Sequence, residues 1–364
     1  MSSEFGNALK LTVFGESHSA AIGAVIDGIP AGERVDLDEV ALFMKRRAPG
    51  GNEYSTKRRE KDEIKILSGI VNGVTTGTPI AAEIVNSDVR SSDYNDLKRL
   101  MRPSHADYPA FMKYGDAHDA RGGGHFSGRL TAPLCFAGAL SIQILRRMGV
   151  TVGAHALMIG KVRDVSFDSV NITPSELLEV TKKEYPVSDD GAADGMKEKI
   201  SEASKSGDSV GGIVECCILG VKAGIGEPIF DGIENEISKA VFGIPAVKGI
   251  EFGAGFLSAE KKGSENNDEY YYDGETVKTR TNNAGGAAGG LSTGMPIIFR
   301  AAFKPTPSIA REQNTVDIIK KENAVLAVSG RHDPCIVFRA VPCVEAAAAL
   351  SILNLIYMNK EKGM

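Results

Sequence analysis

The chain has 364 residues, with 42 Lys plus Arg against 47 Asp plus Glu and a net charge of −5 with histidine neutral. Hydrophobic residues at 42% and charged residues at 24% are globular proportions that argue against disorder, and the mild negative balance lacks the basic clustering of a non-specific nucleic-acid binder. Glycine is in excess, 41 residues or about 11% against an average near 7%, which implies many tight turns or backbone lying close to ligands.

β-like runs are expected at 11–14 and 24–27, followed by a helix over 37–47. There Leu37, Val40, Ala41 and Met44 repeat at helical spacing behind an Asp36 N-cap. The charged stretch RRAPGGNEYSTKRREKDE reads as a solvated loop. Strands are expected at 63–71 and 79–85 across the turn-rich NGVTTGTP. Residues 86–127 are polar and rich in Gly, His and Arg. They run into an apolar helix over 130–148, closed by Arg146, Arg147 and Gly149.

Thr173-Pro174-Ser175-Glu176 has capping-box spacing, so a helix follows over 174–184, with a more polar one over 189–207. The remaining expectations are a strand at 210–219, a helix at 231–242, a strand at 247–252, a long loop at 261–294, strands at 295–303 and 336–341, and a last helix over 342–358. Irregular alternation with short strand-to-strand turns favours an α+β fold of antiparallel or mixed sheets with packed helices, as one domain spanning 1–364.

No apolar run reaches the ~20 residues of a membrane span; 132–145 and 344–358 are shorter and carry Gln143 and Glu345. The opening MSSEFGNALK lacks the features of a signal peptide. Cysteines at 135, 216, 217, 335 and 343, an odd number without CxxC, point to reduced buried thiols in the cytoplasm. Neither paired metal-ligand spacing nor HExxH is present, so no metal is expected.

GxGxxG after a strand and GxxxxGK[ST] are both absent. Polar groups gather instead in four segments: GESHS (15–19), RPSHADYPAFMKYGDAHDARGGGHFSGR (102–129), TNNAGGAAGGLSTG (281–294), and KPTPS (304–308) with GRHDPC (330–335). Five of the six histidines lie there. Ser17 and His18 are adjacent and would point apart on extended backbone, and no nucleophile elbow is present, which argues against acyl transfer. The second segment brings Arg102, Lys113, Arg121 and Arg129 together with His105 and Asp107, just before an apolar helix. Guanidiniums meeting a core need anionic partners, and phosphate is the natural one. Gly122–Gly124 would let backbone N–H groups approach it. The glycine pairs at 285–290 read equally as a surface loop or a backbone platform. Lys304, Arg331 and Asp333 sit beside strand ends, and the prolines around Thr306 stiffen their loop.

In this order, GESHS, RPSHADY…KYG…RGGG, PAVKGIEFGAGF, RTNNAGG and RHDPC resemble the signatures of the chorismate synthase family over about residues 8–350. The resemblance implies a β-α-β sandwich and a homotetramer. It implies a carbon–oxygen lyase that removes phosphate from 5-enolpyruvylshikimate 3-phosphate by 1,4-anti elimination, using reduced FMN without net redox change. It places His105 as proton donor to the leaving phosphate, His18 as proton donor to the reduced flavin, and Asp333 in the relay of the C6 proton. Ser17, Arg46 or Arg47, Arg102, Arg129 and Arg331 would hold the substrate. His125, Phe126, Ser127, Pro245, Ala246, Gly289, Lys304, Pro305, Thr306, Pro307, Ser308 and Arg331 would bind FMN, and Arg47 matches an NADPH position.

The chain departs from the family where GGHFSGRLT replaces GGRSSARET, where Pro245 replaces Asn, and where Ser19 replaces the Gly of GESHG. These departures motivate two other readings. One is a flavin- or anion-binding relative without turnover. The other is an NADPH-dependent flavin oxidoreductase, which the missing dinucleotide motif weakens. Nothing reads as an added reductase domain, so reduced FMN is expected from an external flavin reductase.

Overall fold

Apolar residues at every second position assemble the N-terminal segment into an antiparallel sheet. Its strands are β1 (Glu4–Phe5), β2 (Lys10–Gly15), β3 (Ala21–Asp27), β4 (Lys65–Ser68) and β5 (Ile80–Val85), in the order β1-β2-β3-β5-β4. Ile22, Ala24 and Ile26 of β3 and Ile80, Ala82 and Ile84 of β5 all turn inward. The structure is a computed structural model and describes residues 3–50, 54, 60–87, 99–328 and 332–361.

A second antiparallel sheet holds β6 (Thr151–Ile159), β7 (Val162–Arg163), β8 (Gly212–Leu219), β9 (Val247–Phe252) and β10 (Ile297–Phe303), in the order β9-β10-β8-β6-β7. Helices fill the space between the sheets. α1 (Leu37–Arg47) and α2 (Asp107–Tyr114) precede α3 (Thr131–Arg147), which lies on the first sheet. α4 (Pro174–Lys182), α5 (Asp190–Lys205) and α6 (Ile233–Phe242) lead to α7 (Val337–Glu361), which lies on the second sheet and against α3. The layers therefore run sheet, helices, sheet, and the fold is α+β. α3 and α7 approach closely because Gly138 lacks a side chain: a Cβ there would sit 2.2 Å from Ala346 Cβ. One buried core runs from Ile22 through Phe136 and Leu140 to Phe299.

Local signals explain several boundaries. Asp36 accepts from the backbone N–H groups of Asp38 and Glu39, both at 3.0 Å, and starts α1. Thr173 and Glu176 form a reciprocal capping box at α4.

Other expectations fail for physical reasons. The strand at 336–341 is helical: α7 begins at Val337 and carries Pro342 inside. The β-branched and aromatic run there mimics a strand, and burial on the sheet overrides that propensity. β6 escaped the period-two reading because it is covered on both faces, with Leu177 of α4 packed over Gly153. The expected strand at 63–71 breaks at Gly69 (φ +84°), where Ile80 passes too close for a Cβ. The long segment 261–294 folds into hairpins at Tyr270–Asp273 with Thr276–Thr279 and at Ala287–Ala288 with Leu291–Ser292. α2 and a hairpin of Gln313–Asp317 with Glu322–Leu326 were not foreseen. Two helical stretches, Gly128–Arg147 and Val337–Lys360, are long and apolar enough to span a membrane, contrary to the sequence reading; most of the apolar part of each is buried inside the protein.

Candidate active site

Six chain regions meet at a cavity of about 610 Å³: the turn after β2, the end of α1 with the segment behind it, the loop ahead of α3, the C-terminal end of α6, the end of β10 and the start of α7. His18, Arg47, Arg102, His105 and Arg129 line it. So do His125, Phe126, Ser127, Pro245 and Ala246, and Lys304, Thr306, Pro307, Ser308 and Asp333 complete the expected set on its wall.

The glycine run ahead of α3 shapes one side. Gly122, Gly123 and Gly124 have φ of +57°, +84° and +53°, a backbone path that β-carbons oppose. A Cβ at Gly122 would lie 2.3 Å from His18 Cε1, and one at Gly123 3.2 Å from His105 Cε1. The chain turns at Ser17 and His18, so their side chains do not diverge: Ser17 Oγ lies 3.3 Å from His18 Nδ1. Ser17 is fully buried behind that histidine and off the cavity wall.

His105 is held from behind. Its Nδ1 lies 2.6 Å from Asp107 Oδ1. Asp107 also accepts a fork from Arg102, Nε at 2.7 Å and Nη2 at 2.8 Å. Burial pushes the Asp107 carboxyl up, but the bonds from Arg102 and His105 outweigh it and hold it well below the usual range. Burial lowers His105 most, and the bond to Asp107 offsets only part of that, so its proton affinity falls below that of a free histidine.

A second network, centred on Asp62, also meets the cavity. Asp62 bridges the guanidiniums of Arg47 and Arg129, one carboxylate oxygen to each. Arg47 Nε also donates to Thr131 Oγ1 at 3.1 Å, and Arg129 Nε to Asn86 Oδ1 at 3.1 Å. Burial raises the Asp62 carboxyl, and the two guanidiniums more than reverse that. Arg129 is lowered, by burial first and by the neighbouring Arg47 charge. Its Nη2 is buried without a hydrogen-bond partner among the described residues. An unsatisfied buried donor on a cation is a place for an anion. Lys304 donates to Ser104 O, and burial followed by the nearby Lys248 charge lowers it. Asp333 accepts from Arg339 Nη1 at 2.6 Å, and Arg339 Nε donates to Arg47 O at 3.1 Å.

Backbone strain gathers here. Asp62, Ser104 and Ala246 have φ of +50°, +58° and +74°, three of six such non-glycine residues among those described. Each costs about 1–3 kcal/mol and persists only where surroundings fix it.

Several expected residues lie elsewhere. Arg46 points away from the cavity into a fork with Glu345, at 2.6 and 2.8 Å. Pro305 packs beside Gly211 rather than on the wall. Gly289 sits in the hairpin whose Gly290 O accepts from Ile233 N at 2.9 Å. That is the N-terminal end of α6, roughly 15 Å along the helix from the cavity. Arg331 lies outside the described residues.

Other contributors were missed. Glu60 and Asp62 belong to the stretch read as solvated, yet both are buried, at 5% and 3% exposure. The acidic pair within a basic run was the available signal, since excess cations there call for carboxylate partners. His125, standing in place of an arginine, is occupied on both nitrogens, Nδ1 by Gly15 O at 2.7 Å and Nε2 by Ser3 Oγ at 2.9 Å.

Buried guanidiniums and a carboxylate-held imidazole lining one cavity define the site of an α+β enzyme suited to an anionic small molecule. The family profile of chorismate synthase matches residues 9–357. A chorismate synthase of Lancefieldella parvula is 46% identical over 369 residues, covering 98% of this chain and 97% of that protein. One from Thermococcus kodakarensis is 46% identical over 349 residues, covering 96% of each. The solved structure titled Crystal Structure of Chorismate Synthase superposes with a TM-score of 0.76 at 27% identity, covering 97% of this chain and 93% of that one. The chain belongs to the chorismate synthase family and, with it, to the lyases.

Proposed function

We propose that the cavity carries out the 1,4-anti elimination of phosphate from 5-enolpyruvylshikimate 3-phosphate, giving chorismate, with reduced FMN present and no net redox change. The observation that carries this reading is the juxtaposition of His105, buttressed by Asp107, with an inner wall that offers the unpartnered Arg129 Nη2.

The residues fit both molecules. About 610 Å³ is within the usual range for a ligand site, and Phe126, Ile244, Val247, Phe303 and Ile336 give apolar surface suited to a flat ring. Ser127, Ala246, Lys304, Thr306, Pro307 and Ser308 would hold the flavin, with Arg331 and the departing positions His125, Phe126 and Pro245. When bound, reduced FMN supplies electron density to the allylic system that no side chain can supply.

The chain's own groups do the rest. Arg47, Arg102 and Arg129 neutralise charge that grows on the departing phosphate; such preorganised charge is worth most where water is excluded. His105 delivers a proton to that phosphate from Nε2, its Nδ1–H being committed to Asp107. The approaching dianion raises the imidazole's low proton affinity, so protonation and substrate binding reinforce each other. Asp333, kept oriented by Arg339, takes part in removing the C6 proton, and His18, which also lines the cavity, is the second imidazole available for proton transfer.

The continuous core supports one domain over 1–364. Exposed Phe230 (82%), Phe256 (84%) and Tyr272 (77%) support a homotetramer that covers them. Five free, buried cysteines suit the cytoplasm. Arg47, matched to an NADPH position, is buried and triply bonded; this favours reduced flavin supplied by an external reductase.

The test is an anaerobic assay with photoreduced FMN, following chorismate and inorganic phosphate together. Equal release of both supports the proposal. FMN binding without product supports a relative without turnover, and NADPH consumption without the substrate supports an oxidoreductase.

A further inference from the structure

Of the five cysteines, all free and buried, Cys343 of α7 lines the cavity. Its sulfur lies 3.7 Å from that of Cys135 on α3. The helices approach closely at this level. Gly138 meets Ala346, each three residues further along its helix than the cysteine beside it. The sulfurs need to close by about 1.7 Å to reach bonding distance, a movement within reach of side-chain rotation. The surroundings favour the anion at Cys343. The Cys135 S–H donates to it, the Arg47 and Arg339 guanidiniums attract it and Thr131 bonds it, which together lower this thiol against its burial; in the neutral form its S–H reaches Arg339 O at 3.4 Å. Cys135 is raised well above the ordinary thiol value, by burial first and then by its bond to Cys343, which the Arg47 charge offsets only in part. Neither sulfur has a part in the elimination chemistry above.

We propose that Cys343 and Cys135 are an oxidative modification site on the inner wall of the cavity, with Cys343 as the attacking thiolate, Cys135 as the resolving thiol and a small hydroperoxide as the oxidant. The Cys343 thiolate attacks the terminal peroxide oxygen. The O–O bond breaks, the alkoxide or hydroxide leaves and takes up a proton from solvent, the one the Cys343 thiol had released, and Cys343 becomes a sulfenic acid. The Cys135 sulfur then attacks the Cys343 sulfur and the S–O bond breaks. The hydroxyl departs as water with the Cys135 proton, which already points towards Cys343. Two thiols are oxidised to one disulfide joining α3 and α7, and one peroxide is reduced. This holds whatever the cavity's substrate is.

The test treats the folded, reduced protein with hydrogen peroxide, denatures it in N-ethylmaleimide, and maps the alkylated sites by mass spectrometry. Two of the five sites should be lost, Cys135 and Cys343, with one linked peptide pair that dithiothreitol releases. Cys135→Ala should stop at a sulfenic acid on Cys343, trapped by dimedone. Cys343→Ser should slow thiol loss at least tenfold. Retention of all five thiols in the wild type, or oxidation of Cys216, Cys217 or Cys335 as fast as Cys343, would overturn the proposal without any variant having to fold.

Discussion

Asp107 holds His105 through a 2.6 Å contact at Nδ1 while also gripping Arg102 with both oxygens. One carboxylate therefore sets the tautomer of the imidazole and the direction of a guanidinium. Asp107→Asn should lower kcat by roughly 10²–10⁴-fold, the size of a positioned acid's contribution, and raise KM through the freed Arg102. Steady-state kinetics on the variant read both. An unchanged kcat would remove Asp107 from the account.

The same pair sets an acid sensitivity. Both groups bind protons more weakly folded than unfolded, since His105 is lowered below 6.5 and Asp107 below 3.8. The unfolded chain therefore takes up more protons, and stability rises with pH. Their contribution is full above about pH 6.5 and is lost on acidification, first through the histidine and then through the carboxylate. Urea unfolding at a series of pH values should show this slope in the wild type; in Asp107→Asn the carboxylate part, below about pH 4, should vanish while the histidine part persists, since the lost carboxylate was what raised His105.

Asp62 is shared by two buried guanidiniums. Asp62→Asn leaves Arg47 without its carboxylate and Arg129 with Glu60 alone, and should cost about 3–5 kcal/mol, read from denaturant midpoints. Adding Arg129→Gln should recover part of that loss, because one buried charge then disappears with its partner. A strictly additive double variant would show that the three groups do not act together.

Arg46 and Arg47 are neighbours with different tasks. Arg46 forks onto Glu345, which is nearly inaccessible and also accepts from Ala154 N at 3.0 Å. Arg46→Met should destabilise by about 2–4 kcal/mol and leave KM within about twofold. Arg47→Met should raise KM steeply. A matching rise for Arg46→Met would return it to the substrate wall.

Much of the architecture was legible because its signals are local: the Asp36 cap, the Thr173–Glu176 box, and the period-two strands with one wet face. What was missed depends on tertiary contact. β6 is covered on both faces, and the start of α7 is held between the second sheet and the cavity, so neither alternation nor propensity marks them. Histidines and arginines in Gly-rich loops pointed to the cavity, but their carboxylate partners did not. Asp62 is an ordinary acidic residue in a charged run until Arg47 and Arg129 close on it from α1 and the loop ahead of α3. Gly289 was placed at the site by a family motif alone, and its hairpin lies at the other end of α6, off the wall of the cavity.

Phe126 stands on the cavity wall with 43% of its surface exposed. An aromatic edge or face there adds about 0.5–1.5 kcal/mol to a flat ring, so Phe126→Ser should weaken FMN binding about 2- to 12-fold in a fluorescence titration. Tighter binding would mean that the ring only obstructs the entrance.

The most direct test measures FMN affinity and turnover together for His105→Ala under anaerobic reducing conditions. A loss of at least about 10²-fold in chorismate formation, with the FMN dissociation constant within about threefold of the wild type, is the expected result. Turnover close to wild type, or turnover and flavin binding lost in equal measure, would contradict the assignment of His105 as the proton donor to the leaving phosphate.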